Sequence, residues 1–378
     1  MNSRWVRVRN MPTILVAANS VSYATTFIRE RFYYQRELGL ATLDHIVIAV
    51  SVAAVISNVI GTATSLSWAA GRLDSRRLSL GSLFGGMLIV TAIFAHDAGF
   101  YWLVLIFASS AFIIESQRAS QNGRLIYALA AAITAPVPTI FIWSIEGTHS
   151  ARYVIAGYAA GAVWQALGAM LAGRGATIKR VERGTESWWL PLLYVGAIQC
   201  DAVVDQVLFL RAGPGWAGAG TMAFTISAAS VVIFLGPLSS QALAGRIVIG
   251  KLRNVFLVGF SIALAFEFTI FVSLSLILRG GHLNGSELSR LRALTMLYGM
   301  VIPFSFGWQL LSRIAHRTVH RWQSMSVQSV LIFGIHAIVL VPLFIFHLWY
   351  EFPFASVVAL GAGCLMIARP HLEVGPFS

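Results

Sequence analysis

The sequence predicts an all-α polytopic membrane protein with about 12 transmembrane helices in two six-helix lobes. Of its 378 residues, 57% are hydrophobic and only 11% are charged, whereas soluble domains carry about 25% charged residues. Apolar segments recur at close to the roughly 20 residues that a helix needs to cross a bilayer. Lys and Arg are also distributed unequally between alternate connections. These three observations indicate a bundle of membrane-spanning helices.

The apolar segments predict the residue ranges of the twelve spans. Five prolines fall inside spans and can kink them: Pro136, Pro138, Pro237, Pro303 and Pro342. The chain starts with a basic stretch followed by an apolar one, as a signal peptide does, but apolar segments continue to the C-terminus, so we expect an uncleaved first span. The spans are predicted near 11–28, 44–69, 79–96, 99–116, 124–145, 152–172, 188–210, 216–237, 254–278, 293–312, 324–347 and 353–369.

The connections predict the orientation of the bundle. One side, which holds both termini, carries 19 Lys and Arg residues, and the other side carries 8. Cytoplasmic loops are enriched in Lys and Arg, so both termini are expected in the cytoplasm. The same bias accounts for the net charge of +12 without a nucleic-acid partner.

The connections are also too short for a soluble catalytic domain. The longest, at 173–186 and 279–292, have about 14 residues, and a separate domain usually needs at least about 50. The sequence contains no GxxxxGK[ST], HExxH or GxSxG motif. Cys200 and Cys364 lie in apolar stretches without a CxxC motif, which argues against a disulfide framework or a zinc site. We therefore expect a transporter rather than an enzyme, with its site inside the bundle.

The chain divides at a basic connection into two halves. The predicted units are an N-terminal lobe at 1–172, a linker at 173–187 and a C-terminal lobe at 188–378. Gly39 and Gly213 are each followed ten residues later by an alanine that leads into a span, at an offset of 174 residues. Six spans plus six in the same sense indicate a parallel internal repeat. The repeat would place Arg31 and Asp205 at corresponding positions.

Three blocks resemble a known family. The stretch "FIRERFYYQRELGLATLDHIVIA" at 27–49 resembles the first loop of MOP-superfamily flippases, whose pattern is F-x-R-[DE], a glycine and D-x-F-x-x-A. Arg29, Glu30, Gly39, Asp44 and Ala49 match this pattern, with the glycine and aspartate one residue closer than in the family. The stretches "LPLLYVGAIQCDAVVDQVLFLRAGPGWAGAGTMAFTIS" at 190–227 and "FIIESQRASQNGRLIYALAAAITAPVP" at 112–138 resemble the family's spans seven to eight and four to five.

The resemblance implies a function. The family includes peptidoglycan-precursor flippases and Wzx-type flippases, which move undecaprenyl-pyrophosphate-linked glycans across the bacterial inner membrane by alternating access of two lobes around a central cavity. The peptidoglycan-type members have two further C-terminal spans, so a twelve-span chain is expected on the Wzx-like side. The implied partners are a lipid-linked glycan, membrane lipids, and a glycan polymerase with its synthesis enzymes.

The charges between the first two spans are the predicted substrate site. Charges at membrane depth cost about 2.5–3.5 kcal/mol each on insertion scales, so they tend to face a polar cavity or pair with each other. A guanidinium binds phosphate oxygens through two parallel hydrogen bonds. Arg29, Arg31 and Arg36 are therefore expected to contact the diphosphate, while Glu30 and Asp44 hold the arginines. The alternative is a solvated hairpin with local salt bridges.

Acids in the second half are the predicted coupling or inter-lobe residues. Asp201 and Asp205 are four residues apart and share a face of span seven. The resemblance implies a sodium site at this span, yet span eleven contributes only Ser326, Gln328 and His336, with no carboxylate. Sodium, a proton or a pairing with the first lobe's arginines all remain open. No other cofactor is expected.

Two buried ionisable residues have simpler explanations. Glu267 in "LAFEFTIF" is the third predicted coupling or inter-lobe residue if it faces the cavity, and the alternative is a neutral acid bonded to a neighbouring helix. His336, on an apolar face of span eleven, is expected to be structural.

Two other functions compete with the flippase. A cation-coupled exporter of drugs or small molecules from the same superfamily would use a binding acid, which Asp201 or Asp205 could provide. A polytopic glycosyltransferase or acyltransferase would need an acid or histidine motif outside the membrane. The adjacent His96 and Asp97 lie in a connection too small to hold a substrate.

Overall fold

The computed structural model describes residues 39–69, 98–121, 151–172, 190–243, 252–277, 285–318 and 322–373. Within these ranges the secondary structure is helical, with short turns at 213–215, 300–301 and 346–348 and no strand. The α-helices are α1 Gly39–Ala69, α2 Ala98–Gln121, α3 Ala151–Ala172, α4 Leu190–Phe209, α5 Trp216–Leu243, α6 Leu252–Ile277, α7 Gly285–Gly299, α8 Ile302–Thr318, α9 Trp322–Ile345 and α10 Phe352–Glu373. Short 3₁₀ helices at Leu210–Ala212 and Trp349–Glu351 precede α5 and α10.

The helices match the predicted spans wherever the structure describes them. The spans near 11–28, 79–96 and 124–145 lie outside the described residues, and each of the other predicted spans except the tenth, near 293–312, coincides with one helix. Among the described residues, three segments are long and apolar enough to cross a membrane: Gly285–Leu311, Ser326–Ile345 and Trp349–Ile367. The all-α prediction is confirmed.

The tenth predicted span differs from the expected single helix. Residues 285–292, predicted as part of a connection, already form the start of α7, and the span is broken between α7 and α8 at Met300 and Val301. Pro303 has no N–H, so it cannot donate to the carbonyl of Gly299 four residues earlier. The missing hydrogen bond explains why the break comes at this point.

Small residues mediate the packing of α1, α2 and α3. Ala53, Ala108 and Ala159 are fully or almost fully buried in one cluster, where they let the helices approach closely. Ser57 donates to the carbonyls of Ala53 (2.6 Å) and of Ile106 on α2 (3.1 Å). Such side-chain hydrogen bonds add to van der Waals contact in holding helices together in lipid.

The largest hydrophobic cluster of the described residues joins the two halves of the chain. Ile46 of α1 and Val154 of α3 belong to the same buried cluster as Phe209 and Ile226 of the second half. Helix α1 packs on α2 within its own half and on α4 and α5 of the other half. Helix α1 is thus the element through which the described parts of the two halves meet.

Aromatic side chains gather at the end of the bundle where α5 and α10 begin. Trp216 stacks on Phe209 (ring centroids 6.2 Å apart) and meets Tyr350 edge-on at 4.8 Å. The guanidinium of Arg290 lies 4.5 Å from the Trp216 ring centroid. Trp216 and Tyr350 lie at helix ends, and there they pack against each other.

Candidate functional site

The predicted site residues fall into two groups. Arg29, Arg31 and Arg36 lie outside the described residues, and the side chain of Asp201 is also outside them, although its backbone is part of α4. Three predicted acids are described, and all are buried, with exposed fractions of 3% for Asp44, 4% for Asp205 and 5% for Glu267. Each acid has its own set of partners.

The Asp44 carboxylate caps the N-terminus of α5. The backbone N–H of Gly215 donates to Oδ2 and that of Gly218 donates to Oδ1, both at 2.6 Å. The first N–H groups of a helix have no acceptor within the helix, and the helix dipole favours a negative charge there. Gly213 and Gly215 have φ values of 120° and 81°, which a residue with a side chain rarely adopts. Glycines therefore shape the turn that presents these N–H groups to Asp44.

The Asp44 contact connects one half of the chain to the other. Asp44 and Gly218 are 174 residues apart, which equals the offset of the predicted repeat. If the halves are repeats, corresponding positions meet here, with a carboxylate on one side and backbone N–H groups on the other. Asp44 was expected to hold arginines of 29–36, and those lie outside the described residues. Its prediction as a substrate-binding residue stays a prediction.

Asp205 is paired with His336 within the second half. Nε2 of His336 on α9 lies 2.8 Å from Oδ1 of Asp205 on α4. His336 is 0% exposed, so the pair is enclosed between two packed helices. A buried Asp–His pair lowers the cost of placing either polar group among apolar side chains. It ties α4 to α9, and the coupling role predicted for Asp205 stays a prediction.

Glu267 is held between two serines of the neighbouring helix. Ser227 Oγ donates to Oε1 at 2.8 Å, and Ser230 Oγ donates to Oε2 at 2.9 Å. Gly299, the last residue of α7, lies beside the carboxyl, because a Cβ placed on it would be 3.6 Å from Oε1. The carboxyl therefore sits where α5, α6 and the broken α7–α8 span converge.

Sequence reasoning missed several partners of these acids. Ser227 and Ser230 are three residues apart and share one helix face, and this spacing is the signal that could have pointed to a common partner. His336 was recognised as a polar residue of span eleven but not as the partner of Asp205. The backbone N–H groups of Gly215 and Gly218 could not be predicted as partners of Asp44, because the prediction used side-chain chemistry alone. Within the described ranges, no group of three His, Cys, Asp or Glu residues is placed to hold a metal ion.

The chain resembles solved transporters in structure although not in sequence. No protein-family model and no curated protein matches it. The lipid II flippase MurJ in an inward closed conformation matches 95% of this chain and 87% of its own, with a TM-score of 0.64 and 11% identity. A point mutant of the Vibrio cholerae MATE transporter VcmN matches 97% of this chain and 98% of its own, with a TM-score of 0.57 and 12% identity.

A further match is an outward-facing MATE-family multidrug resistance transporter of the MOP superfamily. It covers 96% of each chain, with a TM-score of 0.56 and 14% identity. All these structures are transporters matched over nearly the whole chain, so the fold resemblance predicted from three sequence blocks is confirmed. The protein is therefore a multi-pass helical membrane protein with the fold of MOP-superfamily transporters.

Proposed function

We propose that the protein is a flippase that moves a lipid-linked oligosaccharide, carried on undecaprenyl pyrophosphate, or a peptidoglycan-type precursor across the membrane. The fold shared with a lipid II flippase over nearly the whole chain supports the class of function. The arginines of the first loop support an anionic lipid headgroup as substrate, because guanidinium groups match phosphate oxygens. The lipid tail would remain in the bilayer while the head crosses between the two lobes.

The contact of Asp44 with the N-terminus of α5 is the observation that carries the proposed mechanism. It joins the two halves at one end of the bundle through two short hydrogen bonds from backbone N–H groups. Alternating access requires the halves to separate at one end while they stay together at the other. A single carboxylate that caps a helix of the opposite half is suited to this, because its release exposes only groups that water can hydrogen-bond.

The orientation and surroundings follow from the same proposal. Both termini would be cytoplasmic in a bacterial inner membrane, as the distribution of Lys and Arg favours. The Asp44 contact would then close the outward side. A glycan polymerase and the enzymes of glycan synthesis are the partners that such a substrate would require. Coupling to Na⁺ or H⁺ would supply the driving force.

A reconstituted transport assay tests this function. Proteoliposomes would hold a fluorescent undecaprenyl-pyrophosphate glycan, and its access to an external glycosidase would be followed over time. We expect transfer by the wild type and at least a tenfold slower transfer by Arg29→Ala, because a lost charge-assisted contact to phosphate costs about 1.5–3 kcal/mol.

The matched control is Arg211→Ala, which removes an exposed arginine of the 3₁₀ helix before α5. It should transfer glycan at the wild-type rate. Equal transfer rates for the two variants would contradict the prediction that Arg29 contacts the diphosphate. No transfer by folded wild-type protein with several glycans and ion gradients would reject the flippase.

Export of small molecules is the second candidate, favoured by the resemblance to MATE transporters over 96–97% of the chain. Efflux of a cationic dye from cells that express the protein distinguishes the two functions. Dye efflux that Asp205→Asn abolishes, without any glycan transfer, would establish the exporter in place of the flippase.

A further inference from the structure

The Glu267 carboxyl is a buried ionisable group, predicted as a coupling or inter-lobe residue, to which the proposed transport cycle assigns no step. It lies in the middle of α6, and the next side chain, Phe268, is 67% exposed. Helix α6 therefore has one face at the outside of the bundle, and Glu267 is turned the other way, against α5. An acidic side chain in the middle of a membrane-spanning helix is energetically costly. Its presence in α6 therefore suggests a function.

The described surroundings of Glu267 provide hydrogen bonds but no compensating charge. Helix α5 has no ionisable side chain along its whole length, and neither has the described part of α8 at 302–311. On α7, the guanidinium of Arg292 lies 5.6 Å from the ring of Phe271, one turn along α6. Tyr298 packs edge-on against Phe224 of α5. The remaining charged residues of α7, Glu287 and Arg290, belong to its first turns, where Arg290 contacts Trp216.

An isolated carboxylate in such a place needs either a cation or a proton. The cost of burying the charge disappears when the group takes up a proton. Among the described residues, the contacts of Glu267 are hydroxyl groups, which serve a neutral acid as well as an anion. The site is therefore chemically suited to a proton.

Ser230 can hydrogen-bond to Glu267 in both protonation states of the acid without movement of any heavy atom. Its Oγ lies 2.9 Å from Glu267 Oε2 and 3.2 Å from the carbonyl of Ile226. With Glu267 ionised, the serine hydroxyl donates to the carboxylate. With Glu267 protonated, the acid donates to Ser230 Oγ, and the serine hydrogen turns to the Ile226 carbonyl. Only one hydroxyl hydrogen has to rotate.

We propose that Glu267, with Ser227 and Ser230, forms a membrane-embedded proton-binding site that loads and releases one proton in each transport cycle. On release, the carboxylic acid gives its proton to water and becomes a carboxylate, and uptake reverses the step. Gly299 brings the end of α7 beside the carboxyl, so a movement at the α7–α8 break reaches the site directly. The link to transport rests on the proposed function, whereas proton binding does not.

Infrared difference spectroscopy during a pH titration tests proton binding without any substrate. The purified protein in lipid should show the C=O stretching band of a buried protonated carboxyl, and the band should disappear as the pH is raised. Glu267→Gln should lose this band. The matched control Glu351→Gln removes an exposed carboxyl and should keep it. The same band in Glu267→Gln, or its absence from the wild type at every pH, would overturn the proposal.

Serine variants keep the test informative if Glu267→Gln fails to fold. Ser230→Ala removes one hydrogen bond to the acid, so the band should move to higher frequency. Thr269→Val, on the exposed face of α6, removes a hydroxyl that bonds only to Ala265 among the described contacts, and it should leave the band unchanged. A band that Ser230→Ala does not shift would assign the signal to another acid and overturn the proposal.

Transport then tests the link to the cycle. In the proteoliposome assay, glycan transfer by the wild type should accelerate at least fivefold with an imposed pH gradient, and Glu267→Gln should lose that acceleration. A titrating band without any glycan transfer would reject the flippase and leave the proton site standing. Transfer that responds to the gradient equally in Glu267→Gln would reject the role of the site in coupling.

Discussion

The three buried acids among the predicted site residues each have a different kind of hydrogen-bond partner. Asp44 accepts two backbone N–H groups at a helix start, Asp205 meets an imidazole, and Glu267 meets two hydroxyl groups. Charged and polar groups are rare at membrane depth because each needs a partner there. The variety of partners indicates that these acids hold different places in the molecule.

At the residue scale, Asp205 and His336 are expected to depend on each other for stability. Removing one partner leaves a buried polar group unsatisfied, so Asp205→Asn and His336→Gln should each lower the thermal unfolding temperature in detergent. The double variant should lose less than the two single losses combined, with a coupling energy on the order of 1 kcal/mol.

The control for this cycle pairs Asp205→Asn with Ser57→Ala, which alters the contact between α1 and α2. Those two effects should add because the sites share no described contact. Additive effects for Asp205 and His336 as well would show that the pair is not energetically coupled.

At the scale of the elements, glycines decide how closely neighbouring helices approach. A Cβ placed on Gly61 of α1 would lie 2.8 Å from Cβ of Ile113 and 3.1 Å from the carbonyl oxygen of Ser110, both on α2. Both atoms are fixed to the backbone of α2, so neither can move away unless the helix itself moves. The close packing of α1 on α2 thus depends on the absence of a side chain at this position.

Gly61→Ala should therefore destabilise the protein, by about 1–3 kcal/mol as overpacking typically does. Gly334→Ala in α9 is the matched control, because no atom lies within 4 Å of its added Cβ and alanine favours a helix over glycine by about 1 kcal/mol. Thermal unfolding in detergent should show opposite signs for the two variants. A loss of similar size in both would argue against the close approach of α1 and α2.

At the scale of the whole molecule, Asp44 is expected to set the balance between two arrangements of the halves. Losing a helix cap costs about 0.5–2 kcal/mol. A free-energy change of about 1–2 kcal/mol alters the ratio of two states by roughly 5–30-fold. Asp44→Ala should therefore enrich the arrangement in which α1 and the start of α5 are apart.

Spin labels at Phe100 of α2 and Leu348 after α9 would measure this balance as a distance distribution. The two natural cysteines would first be replaced by serine. Asp44→Ala should increase the population at longer distances, whereas Ser57→Ala, which removes contacts within the first half only, should not. An unchanged distribution in Asp44→Ala would mean that the cap does not hold the halves together.

The sequence alone determined the membrane-spanning character, the helical class and the positions of the described spans. Apolar length and the paucity of charge are properties of each segment by itself, because lipid imposes the same demand on every spanning helix. The resemblance of three blocks to the MOP superfamily also predicted the fold. The kink predicted at Pro303 is a full break in the structure, and residues 285–292, predicted as part of a connection, belong to α7.

Only the tertiary structure decided which groups the acids meet. Asp44 bonds to backbone N–H groups 171 and 174 residues away, and Asp205 bonds to a histidine 131 residues away. No local pattern determines such pairs, because they depend on how α1 packs on α5 and how α4 packs on α9. Backbone donors, moreover, look the same at every residue of a sequence. They become specific only when a helix begins beside a carboxylate from a distant part of the chain.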